Sequence, residues 1–150
     1  MMRISSHFST SALALLMMGA SLSFTLMPVS QAEADVVAER KANFKGNVMA
    51  MRQIGRLLGA GDFETIAENA QSIADWAAVM PDYFPEGSQS AGTNPAIWQE
   101  FENFSALAKA NQQAALRVVE AAEAGDANAI GGAMQELGAT CKSCHRSYKY

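Results

Sequence analysis

Positive charge is scarce in this chain of 150 residues: 11 Lys and Arg stand against 15 Asp and Glu, a formal net charge of −4. Such a chain lacks the basic footprint that nucleic-acid binding requires. Cysteine is scarcer still, and two of them exclude a dense disulfide framework. Two histidines, His7 and His145, exclude a histidine-rich metal site. Four prolines and 11 glycines are too few for a collagenous or linker-like chain. Strand signals are missing as well: no run alternates apolar with polar residues, and no Asn-Gly or Asp-Gly pair joins β-branched segments. With 49% apolar and 17% charged residues, the composition is that of a globular protein, and the length suits one domain.

Charge vanishes altogether between Ser11 and Met27, SALALLMMGASLSFTLM. Arg3 precedes this run, and Ala32 and Ala34 follow it two residues apart. A basic start, an apolar centre and an A-x-A end form the pattern of a secretory signal. Residues 1–34 are therefore expected to be a signal peptide cut after Ala34, with Ala32 as the other candidate position. Residues 35–150 are then the exported domain. The apolar run is at the short end for a membrane span, and an uncleaved anchor is the alternative. Removal takes away Arg3 and Glu33, so the charge stays at −4, and it leaves His145 as the one histidine. No second apolar span follows, so the exported product is expected to be soluble and free of the membrane.

Helical periodicity fills the remainder. Val37, Phe44, Met51 and Leu58 recur every seven residues, with Val48, Ile54 and Leu57 on the same side, which predicts a first helix over 36–58. Gly59 and Gly61 stop it. Asp62 is placed to cap a second helix carrying Ile66, Ile73, Trp76 and Met80, ended by Pro81. The stretch 81–92 reads as one long loop. Asn94 and Pro95 then open a long third helix reaching Ala124. Gly125 and Asp126 break the chain before a fourth helix to about Arg146, weakened by Gly131, Gly132 and Gly138. The fold class is all-α, an antiparallel four-helix bundle.

Both cysteines and the remaining histidine stand together in Cys141-Lys142-Ser143-Cys144-His145, the C-x-x-C-H motif of covalent haem c attachment. On a helix, positions i, i+3 and i+4 share a face. Two thiols so spaced can form thioethers to two vinyl groups, while the adjacent imidazole turns beneath the iron. Export agrees with this chemistry, because c-type attachment takes place outside the cytoplasm. Other uses of the motif are a disulfide closing a very small loop, a redox pair of the thioredoxin kind without its βαβ setting, and a zinc site without a fourth ligand. A sixth iron ligand cannot be histidine. Only Met49, Met51, Met80 and Met134 offer a thioether, and methionine on an apolar helix face is usually core. The residues thus lean towards iron with one open face. No paired acid and base or activated nucleophile accompanies the motif, which argues against an enzyme.

The sequence resembles the cytochrome c' family, four-helix cytochromes of bacterial periplasms. The resemblance rests on C-x-x-C-H at the C-terminal end, Glu39-Arg40-Lys41, the stretch MPDYFPEG from Met80 to Gly87, Pro95-Ala96-Ile97-Trp98, GDANAI and GATCKSCHRSY. It implies one haem c per chain, held by Cys141 and Cys144, with His145 as the iron ligand. It also implies that Arg40 and Lys41 lie along the haem edge near the propionates; a solvated helix face is the alternative. Phe44 falls where low-spin relatives place methionine, over the open side of the iron. Lys149 matches a basic position near the imidazole, although a disordered terminus is the other fate of this residue. The function so implied is a pentacoordinate, high-spin haem protein that binds nitric oxide and carbon monoxide and sequesters or detoxifies nitric oxide. An electron carrier with Met49 or Met51 as sixth ligand is the rival, and an interaction bundle without haem is a third. A homodimer through the first two helices and an unidentified periplasmic redox partner complete the expectations.

Overall fold

The computed structural model describes residues 29–150, with side chains from residue 34 onward. The expected signal segment up to Pro28 lies outside the described residues. Five helices follow: α1 (Val29–Leu58), α2 (Phe63–Val79), α3 (Ala96–Gln99), α4 (Phe101–Glu123) and α5 (Ala127–Tyr148). A 3-10 turn, Met80–Tyr83, continues α2.

Local chemistry sets most of the helix ends. The Asp62 carboxylate accepts a hydrogen bond from the Thr65 N–H at 3.2 Å at the start of α2. Asp126 does the same for α5, accepting from Asn128 and Ala129 at 3.0 and 2.9 Å. Before it, Gly125 takes φ +67°. Its N–H bonds to Ala122 O and the Asp126 N–H to Ala121 O, which satisfies the last carbonyls of α4. A side chain at Gly125 would have to adopt the left-handed conformation that glycine accepts freely.

Three sequence-based expectations need correction. First, α1 begins at Val29, seven residues before the expected start. Second, the expected long third helix is two. At Glu100 the backbone leaves helical geometry, with φ −123° and ψ 40°, separating α3 from α4. Tertiary contacts produce this break. The Trp98 indole N–H donates to the carbonyls of Phe84 and Pro85, both at 3.0 Å, and the Glu100 carboxylate accepts from the Tyr148 hydroxyl at 3.0 Å. Third, Val48 is 50% exposed and does not join the core face of α1.

The long helices pack in the order α1 on α2, α2 on α4, and α4 on α5, while α1 and α5 make no comparable contact along their length. Alanines such as Ala70, Ala74, Ala114 and Ala115, each at most 1% exposed, let α2 and α4 approach closely. Around them Ile54, Ile66, Ile73, Val118, Ile130 and Leu137 complete a core drawn from all four long helices. A second cluster is aromatic and lies at the other end. Trp76, Phe84, Phe104 and Tyr148 form its centre, with Phe44 and Cys144 packed against it.

Candidate functional site

The C-x-x-C-H motif occupies the last two turns of α5. Cys141 and Cys144 are half-buried and unpaired, so no disulfide joins them. Burial pushes the Cys144 thiol up to about 11, with further help from the Cys141 charge. Burial also raises Cys141, against the opposing pull of its hydrogen bonds to Asn111 and Thr140. Reactive redox thiols are shifted the other way, towards the thiolate. Among the described residues no group of three or more His, Cys, Asp or Glu side chains is arranged to hold a metal ion. His145 is exposed, and burial of part of the ring followed by the charge of Lys149 lowers its pKa. That favours the neutral imidazole, the form that ligates metal.

Opposite the motif stands Phe44, half-buried on α1. Its ring meets Trp76 edge-on at 5.6 Å and Phe84 at 6.4 Å. Phe44 and Cys144 thus pack against one aromatic cluster from two helices that barely touch each other. Met49 is 55% exposed, and Met51 packs against the other, aliphatic core. Met80 lies within the aromatic cluster at 5% exposure.

Arg40 and Lys41 part company. Lys41 is exposed, as a solvated face predicts. Arg40 is 2% exposed and its guanidinium grips the loop after the 3-10 turn. It donates to Tyr83 O at 3.2 Å, Ser88 Oγ at 2.8 Å, Ser88 O at 2.5 Å and Ser90 Oγ at 3.2 Å, and lies 4.5 Å above the Phe84 ring. All these acceptors are neutral. The loop in turn holds the C-terminus: the Asn94 N–H bonds to Tyr148 O and the Tyr150 N–H to Gly92 O, at 3.0 and 3.3 Å. Lys149 joins Thr93 in an isolated β-bridge, so the chain end is tied down and not disordered.

Sequence inspection missed two polar contributors. Asn111, 7% exposed on α4, donates to Thr140 Oγ1 at 2.8 Å and to Cys141 Sγ at 3.6 Å. Trp76 Nε1 is buried without an acceptor. An orphaned donor of this kind costs about 1–3 kcal/mol. Asn111 carries no motif, and Trp76 reads as an ordinary core residue, so neither left a sequence signal.

These features fit a haem. Two thiols one turn apart suit thioether links, and an adjacent imidazole supplies an iron ligand. Flat aromatic walls face them across a side of the bundle that helix packing leaves open. A buried cation lacking a carboxylate and an unpartnered indole N–H both suit an anionic acceptor such as a propionate.

An all-helical bundle with this attachment motif on its last helix defines a class of four-helix haem c proteins, and comparison with known proteins agrees. The family model for cytochrome c' matches residues 35–149, and the chain belongs to that family. It is therefore a haem c protein. Cytochrome c' of Rhodospirillum rubrum is 43% identical over 86 residues, which are 55% of this chain and 58% of that one, so the match spans under two thirds of that relative. Cytochrome c-554 of Cereibacter sphaeroides is 30% identical over 145 residues, 86% of this chain and 94% of its own. Among solved structures, cytochrome c' from Thermochromatium tepidum superposes with a TM-score of 0.72 at 25% identity, covering 78% of this chain and 95% of that one. Among the described residues no helix is long and apolar enough to cross a membrane.

Proposed function

We propose that residues 35–150 form a periplasmic, pentacoordinate haem c protein that binds nitric oxide and carbon monoxide, and that residues 1–34 are its cleaved export signal. Cys141 and Cys144 hold the haem by thioethers, and His145 is the protein ligand to iron. When bound, the haem would supply an iron able to take a diatomic ligand. The chain's own residues then decide what enters. Phe44 cannot ligate a metal; its ring narrows the entrance, keeps water out and must move before a diatomic fits. The Trp76 indole offers its unpartnered N–H to a propionate, and Arg40, whose terminal N–H groups hold the loop, offers its charge. Lys41, exposed one residue on, would meet the propionates only from the solvent side. Lys149 places its charge near His145 and tunes the imidazole. The role would be sequestration or detoxification of nitric oxide.

One observation carries this reading: Phe44 and Cys144 share an aromatic cluster, while Met49 and Met51 do not reach it. A point mutant of cytochrome c prime from Alcaligenes xylosoxidans, 23% identical, has been solved as a nitric oxide complex, and at that distance the likeness extends to the fold alone. A second reading rests on Met80, buried in the same cluster, as a sixth ligand in an electron carrier. The exposed Val48 and Met49 on α1 favour a homodimer packed along that helix. A related cytochrome c', 26% identical, is described as having ligand-controlled dimer dissociation.

The test is the optical spectrum of the exported protein, ferric and reduced, before and after carbon monoxide. A broad reduced spectrum that sharpens with the gas supports an open iron face. Sharp, split bands indifferent to the gas, and lost in Met80→Leu, select the electron carrier.

A further inference from the structure

A metal-binding imidazole is normally steered by a hydrogen bond to its other ring nitrogen. His145 lacks that help. It is exposed, and among the described residues no protein group bonds to its ring. Its orientation therefore depends on the backbone that carries it, the last turn of α5. That turn is tied at successive residues. The Lys149 N–H closes it on His145 O at 3.2 Å. From the preceding loop, the Asn94 side-chain amide donates to Ser147 O at 3.2 Å and the Asn94 N–H to Tyr148 O at 3.0 Å. A second set of ties comes from the break between α3 and α4, and it converges on Tyr148. This residue is 3% exposed, with its ring edge-on to Phe104 at 5.5 Å. Its hydroxyl accepts from the Asn103 amide at 2.7 Å and donates to the Glu100 carboxylate at 3.0 Å. Glu100 is the residue at which the backbone leaves helical geometry, so the chain is interrupted where its carboxylate meets this hydroxyl.

We propose that Tyr148, held by Glu100 and Asn103, is the positioning residue that orients His145 towards the iron. Tyr148 lies three residues after His145 and four after Cys144, so the three share one side of α5. Cys144 packs in the same aromatic cluster as Tyr148. Rotation of the last helical turn about its axis would carry the Tyr148 hydroxyl off both of its partners and would swing His145 by the same angle. Fixing the hydroxyl therefore fixes the imidazole without a bond to the ring itself. Two partners of different kind define the hydroxyl better than one: an N–H donor and a carboxylate acceptor admit one direction for its proton. The role of this brace rests on the proposed haem attachment; its geometry does not.

The exported, haem-loaded protein and its variants are compared by resonance Raman spectroscopy of the reduced state, which reads the iron–histidine stretching band, and by urea unfolding. Tyr148→Phe keeps the ring and removes both bonds; Glu100→Ala removes the acceptor alone. In both, the band is expected to broaden and move to lower frequency, because a loosely held imidazole samples tilted orientations. Glu100→Gln offers the hydroxyl an amide oxygen in place of the carboxylate and should recover most of the parent band. Asp126→Ala uncaps the other end of α5 and lowers stability without touching the brace, so its band should coincide with that of the parent. An unmoved band in Tyr148→Phe, no recovery in Glu100→Gln, or a shift in Asp126→Ala equal to that in Tyr148→Phe would each overturn the proposal. A haem stain on a denaturing gel separates the two readings. An unstained parent overturns the haem attachment and the proposal with it, whereas a stained parent whose band Tyr148→Phe leaves in place overturns the brace alone.

Discussion

Replacing Arg40 by methionine tests the link between α1 and the end of α5. Methionine keeps much of the apolar stem and removes the guanidinium. Not every contact then becomes an orphan. Ser88 Oγ still donates to Pro85 O, and Ser90 Oγ still pairs with Thr93 Oγ1 at 2.9 Å. The carbonyls of Tyr83 and Ser88 lose the Arg40 donors seen in the structure. At about 1–3 kcal/mol for a buried group left unsatisfied, two carbonyls amount to about 4 kcal/mol. Against that, a buried cation without a carboxylate is no longer desolvated, which returns about 1 kcal/mol. The net expectation is about 3 kcal/mol in urea unfolding and a fall of about 10 °C in Tm.

The loss should be local before it is global. Hydrogen exchange of the Asn94 and Tyr150 amides should accelerate most, because their bonds to Tyr148 O and Gly92 O tie the loop that Arg40 holds to the end of the chain. Amides in the middle of α4 should keep their protection relative to global unfolding. Arg40→Lys keeps the charge but not the forked geometry and should recover less than half of the loss. Stability within about 0.5 kcal/mol of the parent, with unchanged exchange at Asn94, would refute the clamp.

Other substitutions probe separate links. Phe44→Ala should raise the carbon monoxide association rate on the order of tenfold, about 1.4 kcal/mol off the barrier, by flash photolysis; an unchanged rate removes Phe44 from the entrance. Asp126→Ala should cost about 1 kcal/mol in urea unfolding by leaving the Asn128 and Ala129 N–H groups uncapped, and a neutral result would show that packing alone sets this helix end. Tyr148→Phe removes the hydroxyl between Asn103 and Glu100, and about 1 kcal/mol of loss is expected, with helical φ/ψ returning at Glu100 by NMR shifts if this bond maintains the break.

What the sequence could disclose follows the range of each interaction. Asp62, Gly125 and Asp126 act within five residues of themselves, so their turns and caps were legible. The haem motif was legible for the same reason, its three residues lying on one helical face. The break at Glu100 was not, because residues 98–100 are locally compatible with helix and are held out of it by Phe84, Pro85 and Tyr148. Arg40 shows the limit most clearly. Its position in a helix predicts either solvent or a cofactor edge, whereas its partners in the structure lie 43 to 53 residues away. Val48 fits the apolar period, yet it lies on the margin of the core stripe, where period alone cannot separate core from rim.

The open side of the bundle is a consequence of where the alanines are. Small residues close α2 onto α4, and that tight pair draws α1 and α5 to its two flanks. Across the remaining side, bulk is supplied by Phe44, Trp76, Phe84 and Tyr148, which hold the flanks apart at the end that bears Cys144. The strap from Arg40 through Ser88 and Thr93 to Lys149 bridges this gap without filling it. A flat prosthetic group needs such a gap, walled by rings and bridged at one end by polar groups. Enlarging alanines on α2 should therefore harm the site from a distance. Ala74→Leu, at 1% exposure, would overpack the α2–α4 contact by about 1–3 kcal/mol and displace Trp76 two residues along the same helix. A shifted reduced spectrum in that variant would show that helix spacing sets the site, and an unchanged spectrum would show that the aromatic walls hold it by themselves.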